Sequence, residues 1–446
     1  MRLGADAKSP NPRPLATLFF GLLLALPGFG REISYAMLAE SAGRNSLQLQ
    51  LYRTDMQIAG AQLETRRAAY YPVVALGFSN EYREALDGTD NGLQSVGDTV
   101  ISGGTLYQST IALNVNYELY HFGATGKSVA IAEEEVRIRR LQWCEEELLL
   151  RRRILEHYTA ALKADGEHRY RQEMAALRRE SYEQMQRLYS AGKSSKIDLG
   201  EAAMKVLELE RAVETAKSRY DDEISELARL SHLEMGADGV TLAPLETSGD
   251  AEPVAFDATP AGMRLEAALR QKEAEISMLK RSQLPTVSLY SNYYAYGASP
   301  QSIDGALDAM AEKSWSAGFH LRMNLFEGFK FRSERQRLEL ELRRIGEERA
   351  LRSREYAYEE RMLRQRMAHS ANLEQSASDL IGRMEAVDAM STRLREQAET
   401  DVLTHLNKKY EIVERSLQLQ TEQIDAAYER AALELHYRGA DRCTLR

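Results

Sequence analysis

The sequence contains little proline and few aromatic residues. Of its 446 residues only 10 are proline and 8% are aromatic, whereas 28% are charged. Long stretches without proline that are rich in charged side chains are typical of extended helices with solvated faces. The composition therefore indicates long helices instead of an ordinary globular core.

Cysteine is also scarce. Cys144 and Cys443 are the two cysteines of the chain, too few for a disulfide framework and without the spacing of a metal site. A single bridge between them and two unpaired thiols both remain open, and we expect unpaired thiols.

Long hydrophobic runs are missing except at the N-terminus. Three basic residues precede the apolar run "LATLFFGLLLAL", and small residues follow it. This pattern is typical of a secretory signal peptide, so we expect residues 1–30 to be removed. Removing three basic residues and Asp6 changes the net charge from −9 to −11, which argues against nucleic acid as a partner. No later segment approaches the eighteen apolar residues of a transmembrane helix.

Two segments of the chain repeat the same order of features. The stretch "YYPVVALGFSNEY" around Pro72 returns as "QLPTVSLYSNYYAY" around Pro285. In each copy a helical stretch precedes the proline, and two segments of alternating polar and apolar residues follow it. A period of two predicts strands with one apolar face. The predicted strands cover about 73–84, 109–120, 286–296 and 314–326.

Each second strand leads into a long helical stretch through an aromatic residue and a glycine, in "LYHFG" and "LFEG". Nearly seventy residues without proline follow, which corresponds to a helix of roughly 100 Å. No globular core is that large, so the helices are predicted to pack lengthwise, as in a coiled coil. The helical hairpins are predicted to turn near residue 192 and near residues 395–401.

The predicted organisation has five parts. They are a signal peptide (1–30), a first repeat (31–235), a connector or equatorial region (236–258), a second repeat (259–437) and a C-terminal tail (438–446). The four strands of one chain cannot close a barrel, which needs at least about eight. We therefore expect the chain to assemble with copies of itself, and strand counting alone allows two or three.

These motifs resemble the TolC-type family of outer-membrane efflux and secretion channels. The resemblance covers about residues 33–437 and rests on the two helix–proline–strand segments, on "LYHFG" and "LFEGF", and on the turn "LYSAGKSSKIDL". It implies a mainly α fold with a small transmembrane β part. The implied assembly is a homotrimer with a 12-stranded β-barrel in the cell outer membrane over an α-helical tunnel in the periplasm.

The resemblance also implies a function and partners. The chain would be the exit duct of a tripartite efflux pump or a type I secretion system, working with a periplasmic adaptor (a membrane fusion protein) and an inner-membrane pump, and surrounded by outer-membrane lipid. The alternative is a periplasmic coiled-coil adaptor or scaffold without a pore. Four strands with an apolar face favour the channel, because an adaptor would not repeat the whole unit.

The resemblance places the candidate sites at the turns of the helical hairpins. The family's Asp-Val-Leu-Asp, whose acids narrow the closed tip, is represented here by "DVLT" at 401–404, and the counterpart of Gly192 in the second copy falls on Arg395. The expected periplasmic constriction consists of Asp401, Thr404, Asp198 and Glu201. The expected adaptor-docking tip consists of Gly192, Lys193, Ser195 and Arg395.

The apolar faces of the strands are expected to contact lipid. The expected lipid-facing residues are Val74, Leu76, Phe78, Ile111, Leu113, Val115, Val287, Leu289, Trp315, Phe319, Leu321 and Met323. We also predict that Tyr290, Tyr293, Tyr294 and Tyr296 join Trp315 and Phe319 in an aromatic girdle at the membrane interface. An ordinary sandwich core is the alternative for these aromatic residues.

No motif predicts catalysis. The segment "HFGATGKSV" has a histidine where a phosphate-binding loop requires its first glycine. The eight histidines are scattered without metal-ligand spacing, and we expect them on solvated helix surfaces. The sequence therefore predicts no enzyme activity, no catalytic residues, no metal site and no cofactor.

Overall fold

The computed structural model describes residues 31–83, 94–96, 99–101, 106–236, 239–247, 252–299, 301–397 and 401–438. The predicted signal peptide and all of the predicted tail after residue 438 lie outside these residues. Within the described part, helices dominate and most strand residues belong to one sheet.

Along the described chain, strands precede the long helices in both repeats. The strands are β1 (Arg31–Ile33), β2 (Val73–Arg83), β3 (Gln94–Val96), β4 (Thr99–Ile101), β5 (Leu106–Tyr120), β6 (Val240–Leu242), β7 (Thr286–Ser299) and β8 (Glu312–Arg322). The helices are α1 (Tyr35–Asn45), α2 (Leu47–Arg67), α3 (Ala124–Ser190), α4 (Lys196–Ser231), α5 (Pro260–Arg281), α6 (Ile303–Asp308), α7 (Lys330–Glu396) and α8 (Val402–His436).

Both repeats show the predicted passage from helix through proline to strand. Strand β2 begins directly after Pro72, and β7 begins directly after Pro285. Because proline has no N–H and disfavours the helical conformation in the residue before it, it ends the helix at both places. Strand β8 ends at Arg322, four residues earlier than predicted, and residues 323–329 connect it to α7.

The four long strands form one antiparallel sheet in the order β2-β5-β7-β8. The first hairpin pairs β2 with β5, the second pairs β7 with β8, and β5 pairs with β7 between them. Strands β2 and β8 are therefore the edges of the sheet, each with one row of backbone groups that the sheet does not pair.

The helices form two rows that share α3 and α7. Next to the sheet, α3 packs against α2 and α5, and α5 packs against α7. Further along, α3 packs against α4 and α8, and α8 packs against α7. In both rows α7 lies at one end, and α2 or α4 lies at the other.

A core lies between the two ends of the helical part. It buries Ile33, Leu38, Trp143, Ile154 and Tyr158 among the residues of α1, α3 and β1, with α4 closing it. Strand β1 pairs in parallel with β6, so the N-terminus of the first repeat is held against the predicted connector. The Tyr158 hydroxyl lies 3.0 Å from the Ile33 carbonyl oxygen and strengthens this pairing.

One expectation about the cysteines is wrong. Cys144 is buried in this core and is disulfide-bonded, whereas we expected unpaired thiols. The number and spacing of the cysteines in the sequence do not decide whether Cys144 forms a bridge.

None of the described helices combines the length and the hydropathy that crossing a membrane would require.

Candidate functional site

Each long helical hairpin ends in a turn far from the sheet. In both repeats a 67-residue helix separates the sheet from this turn, a distance of about 100 Å. We call residues 191–195 the first tip and residues 397–401 the second tip. Both tips contain five residues between the two helices of the hairpin.

The first tip begins with a tight helix ending. Gly192 adopts the left-handed conformation, with φ of +69°. The backbone N–H of Lys193 donates to the Leu188 carbonyl at 2.8 Å, and that of Gly192 donates to the Tyr189 carbonyl at 3.0 Å. This is the Schellman motif, which satisfies the last carbonyls of the helix and favours glycine because it has no Cβ.

The first tip ends in a capping box. The Ser195 hydroxyl oxygen accepts from the Asp198 N–H at 3.1 Å, and the Asp198 carboxylate accepts from the Ser195 N–H at 3.0 Å. The hydroxyls of Ser194 and Ser195 also donate to this carboxylate. These hydrogen bonds hold the pKa of Asp198 below its usual value. The first tip therefore keeps a negative charge at the N-terminus of α4.

The second tip is capped differently. The Asp401 carboxylate accepts from the Leu403 N–H at 3.2 Å and caps α8. Counted from the helix starts, Asp401 is equivalent to Ser195, and the exposed Thr404 is equivalent to Asp198. The acid and the hydroxyl have exchanged places between the two tips.

The structure corrects the alignment of Arg395 with Gly192. Arg395 lies inside the last turn of α7, which ends at Glu396. Because α3 ends two residues before Gly192, the equivalent position in the second repeat is 398, outside the described residues. The alignment failed because it matched residue types in a stretch where no glycine marks the helix end.

The first turns of α4 and α8 lie side by side. A cleft of about 200 Å³ is lined by Asp198 and Glu201 of α4 and by Leu403 and Asn407 of α8, with Arg178 of α3 beneath them. Arg178 donates to the Asn407 side-chain oxygen at 2.8 Å and stacks on a tyrosine ring of α8. Asp198 and Glu201 are thus brought next to the first turns of α8, but Asp401 and Thr404 do not line the cleft.

A buried histidine near the second tip was missed. His405 is 1% exposed, and its Nδ1 lies 2.8 Å from the Ser391 hydroxyl of α7. Burial lowers its pKa, as do the nearby positive charges of Lys409 and Arg395. The expectation that single histidines lie on solvated surfaces is wrong here, and also at the buried His436.

The heptad pattern of α8 could have identified His405 as buried. The buried residues Leu419, Ala426 and Leu433 follow His405 at multiples of seven residues. In a coiled coil, positions that differ by seven share one side of the helix. A pattern search restricted to apolar residues passes over a histidine in this seam.

The register of the sheet places the predicted lipid-facing residues together. Leu76 lies opposite Leu113, Leu289 lies opposite Phe319, and directly opposed residues point to the same face of a sheet. Because side chains alternate along each strand, eleven of the twelve residues share one face. These are Val74, Leu76, Phe78, Ile111, Leu113, Val115, Val287, Leu289, Trp315, Phe319 and Leu321. Met323 lies one residue beyond the end of β8.

This apolar face is open in a single chain. Trp315 is 75% exposed and Phe319 is 73% exposed. Exposed apolar patches of this size mark contacts with a partner or a membrane.

The predicted girdle is wrong for three of the four tyrosines. Tyr293 lies opposite Trp315 on the apolar face, but Tyr290, Tyr294 and Tyr296 alternate to the other face. There the Tyr290 ring stacks on His320 at 5.9 Å and lies over Gly318. The prediction grouped the tyrosines by proximity in sequence and did not apply the period of two to them.

Comparison with known proteins finds one family model that matches part of the chain and several structures with the same fold. Residues 38–231 match the family model described as "Outer membrane efflux protein". A comparison with curated proteins finds no significant match.

Several solved structures of bacterial outer-membrane channels share the fold. The outer membrane protein VceC of Vibrio cholerae has a TM-score of 0.71 at 14% identity, and the match covers 90% of this chain and 94% of VceC. For the outer membrane channel CmeC of Campylobacter jejuni the TM-score is 0.69 at 13% identity, covering 97% of this chain and 93% of CmeC. The outer-membrane channel OprN has a TM-score of 0.74 at 14% identity, and the match covers 91% of this chain and 90% of OprN.

The family model agrees with the resemblance over residues 38–231, and the solved structures confirm the mainly α fold with a small β part that the sequence predicts. The fold extends over nearly the whole described chain, and the family match lies in the first repeat.

Proposed function

We propose that this protein is an outer-membrane channel-tunnel, the exit duct of a tripartite efflux pump or a type I secretion system. It conducts substrates passively through the periplasm and the outer membrane. The observation that carries this proposal is the apolar face of the sheet, which is exposed at one end of two helical hairpins about 100 Å long. No soluble role explains so large an apolar surface on a sheet with two open edges.

The channel is a homotrimer in this proposal. One chain supplies four strands with free edges at β2 and β8, and three copies supply the twelve strands of a closed barrel. All neighbours would then be antiparallel, because β2 and β8 run in opposite directions. The helical part extends into the periplasm towards an adaptor and an inner-membrane pump.

The decisive experiment combines location with conductance. The full-length protein is expressed in a Gram-negative host, the membranes are separated by density, and the purified protein is inserted into a planar bilayer. We expect an oligomer in the outer-membrane fraction and discrete conductance steps. A protein that stays monomeric in the periplasmic fraction would remove the channel and support the adaptor alternative.

The apolar face of the sheet contacts lipid in this proposal. Phe319 and His320 are neighbours in β8 that point to opposite faces. An arginine on the lipid face near the middle of the bilayer costs about 2–4 kcal/mol, whereas lumen positions tolerate polar changes. We expect Phe319→Arg to reduce the folded oligomer strongly and His320→Arg to leave it intact, as measured by heat-modified mobility on gels. Equal effects at both positions would contradict the assignment of the faces.

The periplasmic constriction lies at the two tips. Threefold symmetry would gather three copies of Asp401 around the axis, with Asp198 and Glu201 nearby. Like charges in a narrow pore raise the local concentration of cations. Thr404 adds no charge to this ring.

Substitution of Asp401 by asparagine separates charge from structure. Asparagine caps helices as well as aspartate does, so Asp401→Asn removes the charge and keeps the cap of α8. We expect weaker cation selectivity and weaker block by multivalent cations in single-channel recordings, and the opposite changes in Thr404→Asp. Unchanged selectivity in Asp401→Asn would place the constriction elsewhere.

The adaptor docks at the exposed first tip and the adjoining end of α7. Gly192, Lys193 and Ser195 are exposed there, and Arg395 lies in the last turn of α7. In this proposal the tips stay shut until the adaptor binds beside Gly192 and Lys193.

A further inference from the structure

The short helix α6 follows β7 and packs against β5 and β7. Ser302 caps its first turn, since the Ser302 hydroxyl oxygen accepts from the Gly305 N–H at 3.0 Å. Ala306 is fully buried, and a Cβ at Gly297 of β7 would overlap the Ala306 carbonyl oxygen. The backbone of α6 therefore rests directly on the backbone of the sheet.

Helix α6 lies on the apolar face of the sheet. Gly297 and Ser299 beneath it are buried, and so is Ser109, which lies opposite Gly297 in β5. Because side chains alternate along a strand, Gly297 and Ser299 point to the same face as Tyr293, and Ser109 points to the same face as Ile111. The helix thus covers small residues at the end of the apolar face that lies away from the long helices.

The apolar face becomes polar at about the height of α6. Two residues after Phe78 the same face of β2 carries Asn80, which stands at the height of Gly297. In β8 the residue beyond Trp315 on this face is Lys313, and both polar side chains are exposed. A lysine on a lipid face is unfavourable at the bilayer midplane and tolerated near the interface. The apolar band therefore ends at about this height.

Two tyrosines mark the same boundary on the other side of the sheet. Tyr82 of β2 lies opposite Tyr107 of β5 on the apolar face, and their rings are 5.0 Å apart. Tyr107 also lies opposite Ser299, so the tyrosine pair and α6 stand at one height. Tyrosine is enriched where hydrocarbon meets head groups. The boundary is thus occupied by tyrosines on β2 and β5 and by α6 on β7.

The surface of α6 that faces away from the sheet has an apolar side and an acidic side. Ile303 is 42% exposed and Leu307 is 37% exposed. These two positions are four residues apart and lie within about 40° of each other. Asp304 and Asp308 are exposed as well and follow about 100° further round the helix. Short as it is, α6 is amphipathic across its exposed surface.

We propose that α6 lies at the boundary between head groups and acyl chains of the outer leaflet, on the outside of the barrel. Ile303 and Leu307 contact the acyl chains, and Asp304 and Asp308 point to water. The inference rests on the proposed function, because α6 reaches lipid only if the apolar face does. The long helices extend into the periplasm from the other end of the sheet, so α6 belongs to the outer leaflet.

This position satisfies both sides of the helix. An amphipathic helix at a membrane interface gains free energy by burying its apolar side among the lipids while its polar side stays hydrated. The apolar residues next below α6 on the same face are Ile111 and Tyr293, so its apolar side continues the lipid-facing surface. Because α6 lies outside the barrel, it does not cover the pore.

Nitroxide labels on single cysteines test the position of α6. The reconstituted oligomer in phosphatidylcholine vesicles carries one label in each copy, at Ile303→Cys, Leu307→Cys, Asp304→Cys, Asp308→Cys, Ala298→Cys or Phe319→Cys. Ala298 is exposed on the opposite face at the height of α6, and Phe319 lies in the apolar face. The parent protein without an added cysteine measures background labelling.

Electron paramagnetic resonance compares collisions with oxygen, which concentrates among acyl chains, and with a water-soluble nickel complex. We expect the labels at Ile303 and Leu307 to be accessible to oxygen and shielded from nickel, as the label at Phe319 is. The labels at Asp304, Asp308 and Ala298 should be accessible to nickel.

The outcomes separate this inference from the proposed function. If all four labels on α6 are equally accessible to nickel while the label at Phe319 is in lipid, α6 lies in water and the channel stands. Labels at Ile303 and Leu307 that are shielded from both reagents would place these residues against protein and also overturn the inference. A label at Phe319 that is accessible to nickel would remove the lipid-facing sheet and the proposed function with it.

A matched pair of glycine variants tests whether the contact with β7 holds α6 at this depth. In Gly297→Ala the new methyl group would overlap the Ala306 carbonyl oxygen, whereas a Cβ at Gly77 has no neighbour nearer than 4.0 Å. We expect Gly297→Ala to increase the nickel accessibility of the label at Ile303 and to leave that at Phe319 unchanged. Gly77→Ala should change neither. An unchanged label at Ile303 in Gly297→Ala would contradict this role of the contact.

Discussion

The two repeats build the same hairpin with different residues at the positions that matter most. In each repeat a 67-residue helix, a five-residue tip and a helix of 36 or 35 residues follow one another. Ser195 and Asp198 together cap α4 at the first tip. At the second tip Asp401 caps α8, and Thr404 occupies the position equivalent to Asp198. The backbone plan is therefore conserved between the repeats, while the placement of charge is reversed.

A second reversal occurs where strand passes into helix. In the first repeat Phe122 and Gly123 both have positive φ, and in the second Gly328 and Phe329 do. Both junctions place two successive residues in the left-handed region, but the order of glycine and phenylalanine is exchanged. The fold therefore fixes the geometry of this turn. Either of its two left-handed positions can hold glycine, provided that the phenylalanine at the other position tolerates the strained conformation.

We expect the two repeats to differ most in the stability lost when the glycine of the strand-to-helix junction is replaced by alanine. A Cβ at Gly123 would overlap the Arg281 guanidinium, which donates to the Phe122 carbonyl at 2.9 Å, whereas a Cβ at Gly328 meets open space. A left-handed alanine costs about 1–2 kcal/mol at either position, and displacing the arginine adds about 1.5–3 kcal/mol. We expect Gly123→Ala to lower the melting temperature clearly more than Gly328→Ala, as measured by circular dichroism.

The matched control for this comparison is Arg281→Gln. Removing the guanidinium relieves the overlap, so Gly123→Ala should cost no more than Gly328→Ala in that background. Equal losses in the original background would show that Arg281 moves aside freely.

The caps of the tips give a smaller contrast. Asp198 accepts hydrogen bonds from the backbone and hydroxyl of Ser195, whereas Thr404, at the equivalent position of α8, has no carboxylate to accept them. We expect Asp198→Ala to destabilise the start of α4 measurably, and Thr404→Ala to change the start of α8 by less than about 0.5 kcal/mol. Hydrogen exchange of the first-turn amides measures both. Similar losses at the two positions would mean that Thr404 also caps its helix.

Much of the sheet could be predicted because period two is a strong signal. Eleven of the twelve apolar residues assigned to one face do share it. The same rule, applied to Tyr290, Tyr294 and Tyr296, would have placed them on the other face. The prediction assigned the tyrosines to one face because they are close together in sequence. It did not take into account that neighbouring positions in a strand point to opposite faces.

The tips were less predictable, because their geometry depends on where helices end. Gly192 marked the first helix ending correctly through its left-handed conformation, but no glycine marks the end of α7, and Arg395, which was aligned to Gly192, lies inside that helix. The pairing of β1 with β6 was not predicted either, since strands of three residues have no period. The disulfide of Cys144 and the burial of His405 likewise depend on contacts between distant segments.

The smallest expected difference between the tips is their response to pH, and it follows from His405. In the first repeat the hydrogen bonds from Ser195 and Ser194 lower the pKa of Asp198, so its contribution to stability is lost only in acid. Burial lowers the pKa of His405 below that of a free histidine and so favours its neutral form. Protonation of His405 therefore favours the state in which the start of α8 is unpacked. The stability contributed by burying neutral His405 is complete above about pH 6.5, the ordinary pKa of histidine. It falls as the pH decreases below that value.

The groups around His405 determine how large this effect is. Lys409 and Arg395 oppose protonation, while Asp388 and Glu180 favour it. We expect amide hydrogen exchange near the end of α7 and the start of α8 to become faster between pH 7 and pH 5, after correction for the intrinsic rate. The corresponding amides of α3 and α4 should not change over this range. His405→Gln keeps a polar partner for Ser391 but cannot be protonated, so this variant should lose the pH dependence. Faster exchange at both tips, or an unchanged response in His405→Gln, would assign the effect to another group.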